Sequence, residues 1–362
     1  MSVKIYPDTK IYVACPANIA SGGPELLHQL TYHFRKDLNI DAYMYYYNFN
    51  DRKFNTPLHP EYQMYKNPYV TKSKEIEDKD KNIIIVPEVR EGINLLQYFK
   101  NMRKGVWFLG VNAYYFSQLT KKNFFIPRAI NKISKILIKK PLIDFDFSGY
   151  SEEILNKLIK KYDYRKDPLL KLTDFYMTNS YRGMGWYSDL KPLYYLSEYL
   201  NGDFLKAQTD LNKKENIVAY NPKKGFYFTK KLIEKVKDIK FVPLINMTRD
   251  EVVKTLQGAK VYIDFGSHPG KDRLPREAAI LGCCVITSKR GSAAFFEDVP
   301  IPDEYKFEDK EENIPQIIDK IKDCFENYKE RYKDFEHYRE VIKNEPQKFM
   351  EDLRKIFVKF EQ

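Results

Sequence analysis

The sequence predicts an α/β protein of two doubly wound, parallel-sheet domains that face each other across a cleft, followed by C-terminal helices. Three observations lead there. Apolar, strand-like runs alternate with helical patterns along most of the chain, and the alternation restarts in the second half. Glycine- and lysine-rich loops follow strands, the place where open parallel sheets hold ligands. A chain of 362 residues is long enough for two domains, each with its own core.

In the first half, "KIYVACPA" reads as a buried strand, "NIASGG" as a loop and "PELLHQLTYHFRK" as a helix. Pro24 sits at the helix start, and Leu27, Leu30 and Phe34 recur at spacings of three and four. "DAYMYYYNF" is the next strand, and the polar stretch from Asn50 to Lys81 reads as an insertion or mobile loop. "NIIIVPEV" is a third strand, "GINLLQYFKNM" a helix and "GVWFLGV" a fourth strand. In the second half, "NIVAYNPKKG" is strand then loop, "FTKKLIEKVK" a helix and "KFVPLI" a strand. "TRDEVVKTLQG" carries Thr248 and Glu251 at capping-box spacing, with Gly258 placed to end the helix. "KVYIDFG" (strand), "REAAILG" (helix) and "CCVIT" (strand) complete the pattern. The polar stretch Asn201 to Lys214 marks the boundary. The expected divisions are residues 1–205 and 206–330, two Rossmann-like domains, and 331–362, a segment of charged helices.

Apolar residues make up 43% and aromatic residues 15%, which excludes a disordered chain. A formal charge of +11 favours an anionic partner: nucleic acid, an anionic membrane surface or a phosphorylated substrate. Cys15, Cys283, Cys284 and Cys324 fit neither a zinc site nor a disulfide framework and read as small core residues. The N-terminal apolar run is too short for a signal peptide and no stretch is long enough for a membrane span, so a cytoplasmic protein is expected.

Three loops carry the chemistry. In "SGGPE", Gly22 and Gly23 allow close backbone approach to a ligand at a helix N-terminus, a position that favours phosphate or carboxylate; a plain turn is the alternative. It is neither a GxGxxG nor a Walker A sequence, which weakens dinucleotide and P-loop readings. One turn on, His28 suits either an acid/base role or a neutral structural one. In "NPKKG", Lys223 and Lys224 could hold a diphosphate beside Gly225, or simply form a solvated turn. In "FGSHPGKDR", His268, Gly270, Lys271 and Arg273 precede Glu277 on the next helix. A diphosphate needs cationic donors and a ribose needs a carboxylate that accepts two hydroxyls, and Lys271, Arg273 and Glu277 supply both. The alternative is an Arg273–Glu277 helical ion pair. Zinc at His268 is disfavoured, since no second ligand is seen at metal spacing; no metal or cofactor is expected.

"LPREAAILGCCVITSKRGSAAFFED" resembles the nucleotide-sugar-binding segment of the GT-B glycosyltransferases, in which a helix with a ribose-binding Glu, a small-residue–Gly turn, a "VI" strand and a second glycine loop follow in order. The resemblance implies a GT-B fold and transfer of a sugar from a nucleotide-diphosphate donor to a glycan or lipid-linked acceptor, as in bacterial surface-polysaccharide synthesis. It gives Glu277 the ribose role and makes Lys271 and Arg273 diphosphate ligands. Arg290, Gly291 and Ser292 then lie near the phosphates or donor sugar. The "SGG" loop resembles the first glycine loop of that fold, and "NPKKG" stands where many members carry a leaving-group Lys. The specific likeness spans about 30 residues, and it departs at one point. Many retaining members carry a second Glu eight residues before the ribose Glu, where this chain has Pro269.

Fixed cations would stabilise the charge that grows on the departing diphosphate. For an inverting transfer a first-domain base must take the acceptor proton. Glu88, after the third strand, is the leading candidate, ahead of Glu25 and His28. Finally, Lys121 to Lys140 holds seven basic and no acidic residues, with Ile130, Ile133 and Leu137 on one helical stripe. It reads either as a peripheral contact with the anionic inner face of the cell membrane or as a core-facing helix with a solvated basic side. No nucleic-acid motif accompanies it. The rival functions are a GT-B nucleotide-sugar epimerase and a non-catalytic, nucleotide-binding subunit.

Overall fold

The computed structural model describes residues 2–119 and 152–360; the basic stretch Lys121 to Lys140 lies outside them. The chain divides into two compact units. Met1–Gln118, Leu158–Glu198 and Gln347–Gln362 form the first, and Leu119–Lys157 with Tyr199–Pro346 the second. Among the described residues, no helix is long and apolar enough to cross a membrane.

In the first unit, β1 (Val3–Ile5) stands apart from a seven-stranded parallel sheet of β2 (Lys10–Pro16), β3 (Asp41–Tyr47), β4 (Tyr69–Val70), β5 (Ile83–Pro87), β6 (Arg103–Phe108), β7 (Phe175–Thr178) and β8 (Leu193–Tyr195). The strand order is β4-β3-β2-β5-β6-β7-β8. Ile11, Val13, Ile83, Ile85, Val106 and Phe108 are all buried, as expected for strands covered on both faces. The helix Gly22–Lys36 packs on β2 and β3 and buries Leu27, Leu30 and Phe34, the stripe read from the sequence.

Two expectations change. The stretch from Asn50 to Lys81 contains a 3₁₀ helix (Pro60–Tyr65) and the edge strand β4. The helix expected over "GINLLQYFKNM" is one α-turn, Arg90–Ile93, followed by a 3₁₀ helix, Asn94–Tyr98. Asp78 accounts for its early end, because its carboxylate accepts from the backbone N–H groups of Lys100, Asn101 and Met102 at 2.8, 3.0 and 2.8 Å. Those donors are then lost to helical bonding.

The second unit holds a five-stranded parallel sheet of β9 (Glu215–Tyr220), β10 (Lys240–Pro243), β11 (Ala259–Asp264), β12 (Cys284–Ser288) and β13 (Lys306–Phe307), in the order β10-β9-β11-β12-β13. Val218, Val261, Ile263, Val285 and Ile286 form its core with Leu232, Leu256, Ala278 and Ile317 from the covering helices. Thr248 and Glu251 form the expected capping box of the helix Arg249–Gly258. All four cysteines are buried and free. The C-terminal helices are Ile314–Glu326, Tyr328–Lys333 and Glu336–Ile356. The last strand, β14 (Phe357–Lys359), returns to the first unit and pairs in parallel with β1.

Candidate functional site

Three loops leave the carboxyl ends of β9, β11 and β12, and the middle one touches both of the others. The backbone carbonyl of Phe265 lies so close to Gly225 that a Cβ there would stand 2.3 Å from the oxygen. Gly225 also has φ +61, so a side chain is excluded twice over. Gly291 repeats the case, with φ +65 and a Cβ position 2.2 Å from the His268 carbonyl. A parallel bridge joins His268 to Gly291, and the Ser292 N–H donates to His268 O at 2.8 Å. Ser292 and Gly270 are buried, and the Ser292 hydroxyl has no hydrogen-bond partner.

Two helices start here without side-chain caps. Gly225 is the N-cap of Phe226–Lys235, and Asp272 is the N-cap of Arg273–Ile280. The Asp272 carboxylate would ordinarily accept from its own helix, but it accepts from Lys224 Nζ at 2.7 Å instead. The pair ties the two helix starts together and turns the Asp272 carboxylate away from capping its own helix, while Gly225 has no side chain to cap with, an arrangement suited to an anion.

His268 is fully buried between two carboxylates, with Nε2 3.6 Å from Asp264 and Nδ1 3.7 Å from Asp272. Burial alone would depress its pKa, but Asp272 and Asp264 outweigh it and raise the ring above its ordinary value. Burial likewise pushes Asp264 up, while His268, Lys224 and the Gly266 N–H more than offset it and leave the carboxyl below its ordinary range. The three residues bring potential ligand atoms within 4.8 Å of one another. Each carboxylate faces a different ring nitrogen, which suits an imidazolium gripped at both edges better than one metal ion. Asp264 and Asp272, each four residues from His268, are the neighbours that the sequence reading did not count.

Lys271 Nζ lies 2.7 Å from Glu345 on the helix Glu336–Ile356, with the two side chains 4% and 3% exposed. Arg276 binds the other oxygen of Glu345 at 2.9 Å. Arg273 Nε is 3.6 Å from Glu277, so the helical ion pair weighed above forms. Arg290 donates to Phe265 O at 2.7 Å and pairs with Asp309 at 3.0 Å, while Lys223 is exposed at the loop tip. The loop residues singled out in the second half thus lie in three loops of which the middle one touches both others. Glu345 and Arg276 were not foreseen.

The first unit's candidates have other surroundings. Gly22 and Gly23 open their helix after Ser21, whose N–H and carbonyl are both bonded to the Tyr62 hydroxyl at 2.9 Å. Glu25 is buried and accepts from the Tyr65 hydroxyl at 3.3 Å. His28 has Nδ1 2.6 Å from the Pro24 carbonyl and Nε2 2.6 Å from the Tyr46 hydroxyl. A carbonyl only accepts, so Nδ1 carries the proton and Nε2 accepts from Tyr46. Burial pushes the His28 pKa down to about 4. Glu88 is 2% exposed at the end of β5, and its Oε2 has no hydrogen-bond partner. Burial raises its pKa to about 7 against the opposing bonds from the Leu109 and Gly110 backbone.

No family model and no curated protein matches this sequence. Solved structures do. HepE of Anabaena, in complex with UDP-glucose, is similar with a TM-score of 0.61 and 8% identity, over 94% of this chain and 97% of that one. Sucrose-phosphate synthase from Thermosynechococcus elongatus has a TM-score of 0.61 and 12% identity, over 95% of this chain and 97% of its own. TarM of S. aureus has a TM-score of 0.43 and 14% identity over 78% of this chain, which spans 57% of the TarM length. Two parallel sheets in the order described, together with the likeness to HepE and sucrose-phosphate synthase over nearly their whole lengths, give this chain the GT-B fold.

Proposed function

We propose that this protein is a glycosyltransferase that takes a sugar from a nucleoside-diphosphate donor held at the carboxyl edge of the β9–β13 sheet. The observation that carries the reading is the pair of uncapped helix starts, tied by Lys224 and Asp272 and lined by glycines that leave the backbone open. A diphosphate would take up the first-turn N–H groups of both helices, with Lys223 and Arg273 as partly exposed cations beside it. Lys224, Lys271 and Arg290 would shape the loops and add to the positive field around it. Glu277 would receive the ribose hydroxyls. When the bond from the anomeric carbon to the β-phosphate oxygen breaks, the electron pair stays with the diphosphate, and these fixed donors stabilise it. The likeness to HepE, solved with UDP-glucose, supports UDP and UDP-glucose as first probes.

For the acceptor half, Glu88 is the base we favour, because a carboxyl with a pKa of about 7 can accept a hydroxyl proton near neutral pH. His28 has both nitrogens engaged, and Glu25 is buried against Tyr65. The acceptor itself, a glycan or a lipid-linked one in surface-polysaccharide synthesis, rests on the sequence resemblance, as does membrane contact through Lys121 to Lys140.

A thermal-shift series with UDP, UDP-glucose, ADP and GDP, with and without EDTA, tests the donor site, since a ligand that binds the native state raises Tm. A shift with one nucleoside diphosphate that survives EDTA supports a donor site that needs no metal to bind. No shift with any of them, alongside a salt-sensitive shift with an RNA oligomer, would sink the reading.

A further inference from the structure

We propose that Glu345 is a positioning residue for the diphosphate site, acting through Arg276 on the turn that starts the helix Arg273–Ile280. The inference rests on the donor reading above.

The geometry is specific. Arg276 Nε donates to the Asp272 carbonyl at 3.1 Å and Nη2 to the Lys271 carbonyl at 3.1 Å. Lys271 and Asp272 are the two residues before the helix, and Asp272 is its N-cap. One guanidinium therefore holds the turn from within its own helix. Its anchor outside the turn comes from far along the chain, where Glu345 Oε2 accepts from Nη1 at 2.9 Å and Oε1 lies 2.7 Å from Lys271 Nζ. One oxygen of the carboxylate thus faces the loop residue Lys271 and the other holds Arg276 in the helix, and all three side chains are buried.

A buried ion pair by itself is weak grounds for anything beyond packing. Here, however, the same guanidinium also binds the two carbonyls that fix how the helix begins. Phosphate oxygens take helix N–H donors only within a few tenths of an ångström of the ordinary hydrogen-bond distance. A turn that loses its anchor offers those donors less well, while contacts to the rest of the nucleotide stay as they were. Glu345 should then govern the affinity gained from the second phosphate, rather than affinity for the nucleotide as a whole.

Calorimetric titration of the full chain with uridine, UMP and UDP reads this directly. In the wild type, UDP should bind more tightly than UMP; equal affinity would overturn the donor reading and this proposal together. With that preference in hand, Glu345→Gln should reduce the UDP-over-UMP ratio about tenfold while UMP affinity stays within about twofold. Glu345→Asp keeps the charge but is one methylene shorter, and should recover part of the ratio. If thermal melting shows that Glu345→Gln does not fold, Arg276→Lys decides. It keeps a cation beside Glu345 but replaces the three nitrogens that reach Glu345 and both carbonyls with one, so it should lower the ratio to a similar degree. A folded Glu345→Gln or Arg276→Lys protein with the wild-type ratio would show that the cluster only packs the core.

Discussion

The carboxyl edges of the two sheets share one frame, in which a parallel strand ends, a glycine-bearing loop follows and a helix begins, yet they carry opposite kinds of side chain. Beyond β9, β11 and β12 the groups are ionic: Lys224 with Asp272, His268 between two aspartates, Arg290 with Asp309. Beyond β2 and β5 aromatic rings surround the polar groups: His28 against Tyr46 and Tyr62, Glu25 under Tyr65, and Glu88 apart from them with its carboxyl pushed toward protonation. The frame is common, and the loops decide what it can bind. The glycines differ too. Gly225 and Gly291 are required by positive φ and backbone contact, whereas a Cβ on Gly23 would meet only Leu109 Cδ1 at 3.4 Å.

The largest effect that could break this contrast lies at those glycines. Gly225→Ala or Gly291→Ala forces a Cβ against backbone in a left-handed conformation and should cost about 4 kcal/mol, combining strain with overpacking. Denaturant melts would show it, and any UDP-induced rise in Tm should vanish. Next, Glu88→Gln removes the proposed base without altering size: kcat should fall about 100-fold, and the acidic limb of the rate profile near pH 7 should disappear. Donor affinity should be unaffected, and an unchanged kcat would remove Glu88 from the mechanism.

The two buried histidines sharpen the contrast through pH. His28 is neutral when folded and its pKa is down at about 4, so unfolding takes up a proton between there and its ordinary value of 6.5. Its contribution is complete above pH 6.5 and declines as pH falls toward 4, by about 3 kcal/mol in all. His268 has the reverse sign. Its raised pKa gives a contribution complete below pH 6.5 that is lost as pH rises through the folded value. Imidazole NMR should find His268 still charged at a pH where His28 has long been neutral; titration of both rings together would erase the distinction. The smallest effect is expected at Gly23→Ala, which should shift stability by no more than about 1 kcal/mol, since Ala suits a helix better and has room. A loss as large as at Gly225 would mean that the first loop is as constrained as the others.

Much of the frame was legible because its signals are local. Continuous apolar runs announced β2, β5 and β11, the Thr248–Glu251 spacing announced a capping box that forms, and Gly282, at φ +86, follows the helix it was read to end. What stayed hidden depends on partners far apart in sequence. Asp78 ends the expected helix from more than twenty residues away, and nothing in "KNEPQ" shows that Glu345 reaches Lys271 and Arg276. The basic residues of the third loop looked alike in sequence. Folding divides them by exposure, with Lys271 and Arg276 buried on Glu345 and Arg273 left partly open. The surroundings of His268 are of a third kind: its aspartate neighbours stand in plain view at four-residue spacing, but it is the folded loop that turns one toward each ring nitrogen.

The pairing of Val3–Ile5 with Phe357–Lys359 sets a timetable for the chain as it leaves the ribosome. At about 5–20 residues per second, β1 waits some tens of seconds for its partner strand. Every residue of the second unit is made before Gln347 and can fold in that interval. Synthesis that stalls before Phe357 therefore leaves a finished second unit and a first unit in which β1 has an open edge, a ready attachment point for holding chaperones or for another nascent chain.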